Sequence, residues 1–172
     1  MLTENSAAEF CNKFVDALYF SKSPFLNRGN NNEIEELIDE KAEIIFNTLE
    51  TEPTREEVLT RKFNAVSSGE SKTKEQAVKI FQTESIRVQL GREPEIDVQD
   101  PRNPVILLKT MLIGERPKKE TINIDQLSLL LSDDSNIRVT SWKHFQKDVE
   151  PKPRVGSLKI SGKKVVMSGI NW

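Results

Sequence analysis

Ile122-Asn123-Ile124-Asp125-Gln126-Leu127-Ser128-Leu129-Leu130-Leu131 decides the fold, because it reads either as a helix or as one long strand. Leu127, Leu130 and Leu131 taken alone have helical spacing. Ile122 and Ile124, then Leu127, Leu129 and Leu131, instead follow period two on either side of Asp125-Gln126, which predicts a strand with a bulge at that pair. Ser132-Asp133-Asp134-Ser135-Asn136 carries turn chemistry, and Ile137, Val139 and Ser141 then resume the alternation, with Trp142 and Phe145 further on. Upstream, Val105-Ile106-Leu107-Leu108 leads through Lys109-Thr110 to Met111-Leu112-Ile113 before Gly114-Glu115-Arg116-Pro117 breaks the run. The three segments make consecutive antiparallel strands of one curved sheet.

The earlier sequence supplies helices to back that sheet. Ser6-Ala7-Ala8-Glu9 is a capping-box pattern, followed at helical spacing by Phe10, Phe14 and Leu18, with Cys11 and Val15 beside them. Pro24 stops this helix. Asn32 caps a second one carrying Ile34, Leu37 and Ile38, whose acidic residues lie near the positive end of its dipole. Ile44-Ile45-Phe46 either continues it or begins a strand, and its β-branched pair favours the strand. Thr54-Arg55-Glu56-Glu57 is another capping box, opening a helix with Val58, Leu59, Phe63 and Val66 on one side and Ser67-Ser68-Gly69 at its end. Residues 71–74 are polar and read as exposed. Val78, Ile80, Ile86, Val88 and Leu90 then predict a strand bulged around Gln82-Thr83-Glu84, with a helical reading of Ala77, Val78 and Phe81 open. Pro94, Pro101 and Pro104 keep residues 95–99 out of a central strand.

The expected architecture is therefore α+β: a curved, cone-like antiparallel sheet backed by about three N-terminal helices. Residues 1–149 form a single domain, and residues 150–172 a C-terminal extension. That extension opens on the stiff Glu150-Pro151-Lys152-Pro153-Arg154 linker and continues as a short hairpin or tail ending in Trp172. A length of 172 residues suits one well-buried domain. A formal net charge of −2 gives no global electrostatic case for nucleic acid or an anionic membrane. The single cysteine, Cys11, excludes an internal disulfide and suits a reducing compartment, where it is expected as a buried helix residue. With no apolar run long enough to span a bilayer and no secretory signal at the start, cytosol or nucleus is expected.

Most catalytic templates fail on residue type. His144 is the only histidine, no carboxylate cluster has metal-ligand spacing, and no Gly-rich phosphate loop or Gly-x-Ser-x-Gly elbow is present. No metal or cofactor is expected. His144, between Trp142 and Phe145, is the one candidate acid or base, with Asp97 or Asp125 as its partner; the competing reading is a rim histidine shielding its aromatic neighbours. Lys152, Arg154, Lys159, Lys163 and Lys164 form a basic tail that nucleic acid would meet through phosphates, although Asp148 and Glu150 dilute it and such runs are commonly solvated surface.

Two places carry a family resemblance. The helix with Phe10, Phe14 and Val15, and the apolar strand 122–131 turning through Asp and Asn into a strand ending in Trp142 and Phe145, resemble the opening helix and closing hairpin of the nuclear transport factor 2-like fold. The resemblance covers roughly residues 7–145; the polar stretch 67–74, the three prolines and residues 150–172 depart from its compact members. It implies one of two functions. Non-enzymatic members resemble adaptors that dimerise through the sheet face, in nuclear transport or RNA export, and include the small partner of the mRNA export receptor. Enzymatic members, such as ketosteroid isomerase and scytalone dehydratase, hold acid–base groups inside the cone. The scarcity of histidine favours the adaptor. A protein partner or second copy is then expected to meet Leu127, Leu129, Leu131, Val139, Trp142 and Trp172. The alternatives are a small-molecule binder or acid–base enzyme using His144, and a nucleic-acid accessory protein using the basic tail.

Overall fold

The computed structural model describes residues 1–20, 33–66, 69–84, 89–91, 93–112 and 120–149. Its elements in chain order are α1 (Glu4–Tyr19), α2 (Glu33–Leu37), β1 (Ile38–Thr48), α3 (Arg55–Thr60), β2 (Glu70–Lys72), α4 (Lys74–Glu84), β3 (Gln89–Gly91), β4 (Glu95–Asp97), β5 (Val105–Leu112), β6 (Glu120–Leu131) and β7 (Ile137–Val149). The sheet runs β2-β1-β7-β6-β5-β3, with β4 also paired to β5. It is curved and unclosed. The expected antiparallel sheet is in fact mixed, because β1 lies parallel to β7 while every other pairing is antiparallel.

The long strands form where alternation predicts them, and the Asp134 turn joins β6 to β7. Asp134 accepts from the Ser132 and Asn136 side chains and from the Asn136 backbone, which holds its carboxyl below the usual range, and Ser135 takes a left-handed conformation at φ 67°. The bulge, however, is not at Asp125-Gln126. Asp125 pairs in register with His144, and the shift comes where Ser128 faces Ser141 but Leu129 faces Val139. The extra residue is Thr140 of β7, whose hydroxyl donates to Ser128 O. This one residue turns Trp142, rather than Ser141, onto the same face as Val139.

That inward face packs on α1. Phe10, Cys11, Phe14, Val15 and Leu18 are buried against the sheet with Leu127, Leu129, Val139 and Trp142. Phe14 meets Trp142 edge-on at a centroid distance of 5.3 Å, a contact worth about 0.5–1.5 kcal/mol beyond its burial. The outward face carries a smaller cluster, in which Leu49, Val58 and Phe63 cover Val105, Ile122, Ile124 and Phe145. Ile122, Asn123, Ile124 and Asp125 are consequently all buried, the even positions outward and the odd positions inward.

Several local readings are corrected. The capping box of α1 is Thr3 with Ser6, one turn before Ser6-Ala7-Ala8-Glu9, because Thr3 supplies the hydroxyl that accepts from the Ser6 amide. Ile38 starts β1 instead of ending α2, and Ile44, Ile45 and Phe46 lie in β1 as the strand reading has it. The Thr54–Glu57 box does open α3, yet the helix stops at Thr60 because Arg61 turns left-handed at φ 59°; Phe63 and Val66 lie beyond it. Residues 70–72 form an edge strand; of the strand predicted from Val78 to Leu90, the part up to Glu84 is helix α4, as the open helical reading of Ala77, Val78 and Phe81 has it, Leu90 lies in β3, and Ile86 and Val88 lie outside the described residues. The signal of α4 is local: Gln76 N donates to Thr73 Oγ1 and Thr73 N to Gln76 Oε1, a capping box spelled Thr73-Lys74-Glu75-Gln76.

Gly69 enters β2 at φ 93°, and a Cβ there would stand 2.5 Å from Ile45 Cγ2 and 2.6 Å from Asn47 Oδ1. Gly69→Ala is expected to cost about 1–3 kcal/mol, from forced φ and overpacking together. The urea midpoint measures it; a midpoint equal to wild type would refute the close approach of β1 to this turn.

Candidate active site

Asp125 and His144 face each other across β6 and β7, both on the inward face. His144 Nδ1 lies 2.7 Å from Asp125 Oδ1. Trp142 Nε1 donates to the same oxygen at 2.7 Å, and Tyr19, the last residue of α1, donates its hydroxyl to Asp125 Oδ2 at 2.6 Å. Asp125 is fully buried and His144 is 2% exposed. Trp142 can only donate, and the carboxylate accepts on both oxygens, so this network assigns the Nδ1 proton of the imidazole to Asp125. In the neutral ring Nε2 is then the basic nitrogen. Gln146 Oε1 lies 3.2 Å from it, so with Nε2 unprotonated the Gln146 amide is turned to present its NH2 as the donor.

The sequence places these groups through period two alone. Trp142, His144 and Gln146 alternate on β7 beyond the Thr140 bulge, and Asn123, Asp125 and Leu127 alternate on β6. Phe46 of β1 and Phe81 of α4 close over the imidazole, with ring centroids 5.1 and 5.2 Å from it. The outer side of His144 opens on a cleft of about 320 Å³, whose walls include Phe46, Ile80, Gln146, Lys72 and Asp148. A smaller cleft of about 220 Å³, by Val58, Leu107 and Ile122 on the outward face, is edged by the Arg55–Glu95 ion pair. Among the described residues no three His, Cys, Asp or Glu side chains group as metal ligands, and no helix is long and apolar enough to cross a membrane.

Of the two acids offered to His144, Asp125 is the partner. Asp97 lies on β4, its Oδ2 3.8 Å from Arg61. His144 is buried, not a rim residue. Leu127, Leu129, Val139 and Trp142, expected to meet a partner, are 5% exposed or less and pack under α1, so another protein would reach them only by displacing that helix. Leu131 is half-buried at the end of β6. Trp172, Lys152, Arg154, Lys159, Lys163 and Lys164, with the whole 150–172 extension, lie outside the described residues. Tyr19 and the indole N–H of Trp142 escaped the sequence reading. The signal available for them was a lone acid at an inward strand position, which demands donors from whatever covers it.

Cys11 is buried on α1 as expected, and burial, then the nearby Asp125 charge, pushes its thiol up to about 12 from 9.0. Native protein is expected to resist a thiol-specific reagent at pH 8 and to react stoichiometrically once unfolded; rapid labelling of the native state would refute the packing of α1. A raised folded value means that the unfolded chain ionises first. The thiol's contribution to stability is therefore complete below pH 9.0 and is lost as pH rises towards 12.

No family model and no curated protein matches this chain. Solved structures do. The epoxide hydrolase/cyclase-like enzyme SalBIII, of pyran ring formation in the polyether salinomycin, superposes with a TM-score of 0.51 at 14% identity, over 85% of this chain and 94% of that one. Rd1NTF2_04 with long sheet gives 0.49 at 13% identity, over 81% and 99%. An NTF-2 like protein of unknown function from Silicibacter pomeroyi gives 0.43 at 10%, over 83% and 97%. At such identities the likeness is one of fold.

Proposed function

We propose, from the premise that this chain has the nuclear transport factor 2-like fold, that it is an acid–base enzyme acting on a small organic carbonyl compound inside the cone. The observation that carries this is the buried Asp125–His144 pair at 2.7 Å, its carboxylate held by two further donors, beside a cleft on the inward face. SalBIII, by its description, is an enzyme on the same fold, which makes the reading compatible with the architecture; the residues argue it.

His144 Nε2 takes a proton from carbon α to the carbonyl, giving an enolate and an imidazolium that Asp125 stabilises. The proton then returns to another carbon, an isomerisation, or leaves with a β-hydroxyl as water, an elimination giving the conjugated ketone. Asp125 is a positioning residue: fully buried and already accepting from three donors, it fixes ring and tautomer. Phe46, Phe81 and Trp142 exclude water from the inner side of the imidazole, where the ion pair is then stronger than in bulk solvent.

The sole histidine gives one imidazole Hε1 signal, so occupancy is read directly. Aryl methyl ketones and cyclic β-hydroxy ketones incubated in D2O are expected to shift that signal and to incorporate α-deuterium or eliminate water. His144→Gln is expected to slow this by about 100-fold or more. Equal rates for wild type and variant, or rates equal to buffer throughout, would overturn the reading.

A further inference from the structure

Gln146 lies against the nitrogen on which the reaction depends. Its carboxamide is 3.2 Å from His144 Nε2, and both side chains line the same cleft. The backbone beneath it is fixed from both sides: Gln146 pairs with Asn123 of β6 and Thr48 of β1, and its carbonyl accepts from Leu49 N at 2.9 Å. The side chain itself is half-buried on the cleft wall, so the amide turns about its own bonds while its Cα stays in place. Neutral imidazole has one lone pair, and on Nε2 it is the one that accepts from the amide. A carbon acid therefore reaches that lone pair only by displacing the Gln146 NH2, which is then left beside the reacting carbon. Such a carbon stands about 3–3.5 Å from Nε2, with its carbonyl oxygen roughly 2.4 Å beyond it. Lys72, another donor on the wall, is engaged by Glu70 at 3.0 Å and stands on β2, two strands from β7.

We infer that Gln146 is a catalytic residue of the His144 site, whose NH2 passes from Nε2 to the carbonyl oxygen of the substrate and stabilises the enolate formed there. This rests on the acid–base reading above and supplies the group on the oxygen, which Asp125, bonded to the far nitrogen of the ring, does not reach. In the step the C–H electron pair becomes the carbon–carbon π bond, the carbonyl π pair moves onto oxygen, and the proton goes to Nε2. On return the same pairs move back. With the ground-state ketone the exchange of partners is nearly neutral, one uncharged acceptor replacing another. The enolate oxygen is charged, and hydrogen bonds to a charged acceptor are roughly twice as strong. The gain falls on the transition state, where it raises the rate and not the affinity.

The full chain and its Gln146→Met variant, which keeps the length of the side chain without its donor, are compared in deuterium exchange into the methyl group of acetophenone in D2O. The variant is expected to lose about 100-fold in kcat with KM within about 2-fold, the signature of an interaction made only in the transition state. A merely structural role would move KM and the urea midpoint as well. In the wild-type protein the Gln146 side-chain NH2 is expected to show a nuclear Overhauser contact with His144 Hε1. Its absence would overturn the inference even should the variant not fold. Equal kcat in the two proteins, or a change confined to KM, would remove Gln146 and leave His144 as the base. No exchange in wild type would remove the acid–base reading, and this inference with it.

Discussion

Asp125→Ala is expected to lower the unfolding free energy by about 3–5 kcal/mol, as when one member of a buried, paired group is removed and its partners stay behind. The Tyr19 hydroxyl and the Trp142 indole N–H would both lose their acceptor, in an interior that leaves Trp142 and Asp125 no measurable exposure. His144 would lose the bond that fixes its tautomer. Tyr19→Phe strips only one donor from a carboxylate that keeps two, and about 1.5–3 kcal/mol is expected for it. Urea unfolding followed by tryptophan fluorescence measures both. Were Asp125→Ala to cost less than Tyr19→Phe, the three donors would not converge on this carboxylate, and the proposed base would lack its support.

The same carboxylate shows how far the sequence carries. Period two along residues 122–131 and 137–145 established β6 and β7 and, with the opening helix, the family of the fold. It also contained the pairing of His144 with Asp125, offered as one of two acids. What it did not contain was the direction of each side chain. Alternation counts positions, and a single inserted residue reverses faces. The reading placed the irregularity at Asp125-Gln126, the polar interruption; the chain instead inserts Thr140, a residue with no mark in the pattern.

Helix α4 was left open behind a strand reading for a related reason. Ala77, Val78, Ile80 and Phe81 are too few to separate a helix from a strand by period alone, and the capping box at Thr73–Gln76 was the stronger signal. The adaptor expectation arose from the scarcity of histidine and from reading apolar strand residues as an exposed sheet face. Bound under α1, Leu127, Leu129, Val139 and Trp142 are what the helix stands on.

Trp142→Ala tests that platform, and a loss of about 3–5 kcal/mol is expected. Trp142 is fully buried, meets Phe14, Phe46 and Phe81 at centroid distances of 5.3 to 5.6 Å, and donates to Asp125. Alanine removes ring contacts from α1, β1 and α4 at once, and the strands that frame the hole are too constrained by their ladders to close it. Trp142→Phe separates packing from polarity: it restores most of the volume but not the N–H, so it is expected to recover more than half of the loss. Denaturant midpoints at constant slope make the comparison. If phenylalanine recovered nothing, the hydrogen bond to Asp125 would be the dominant contribution of this residue, and α1 would owe its position to the polar network of Tyr19 and Asp125 more than to the aromatic cluster.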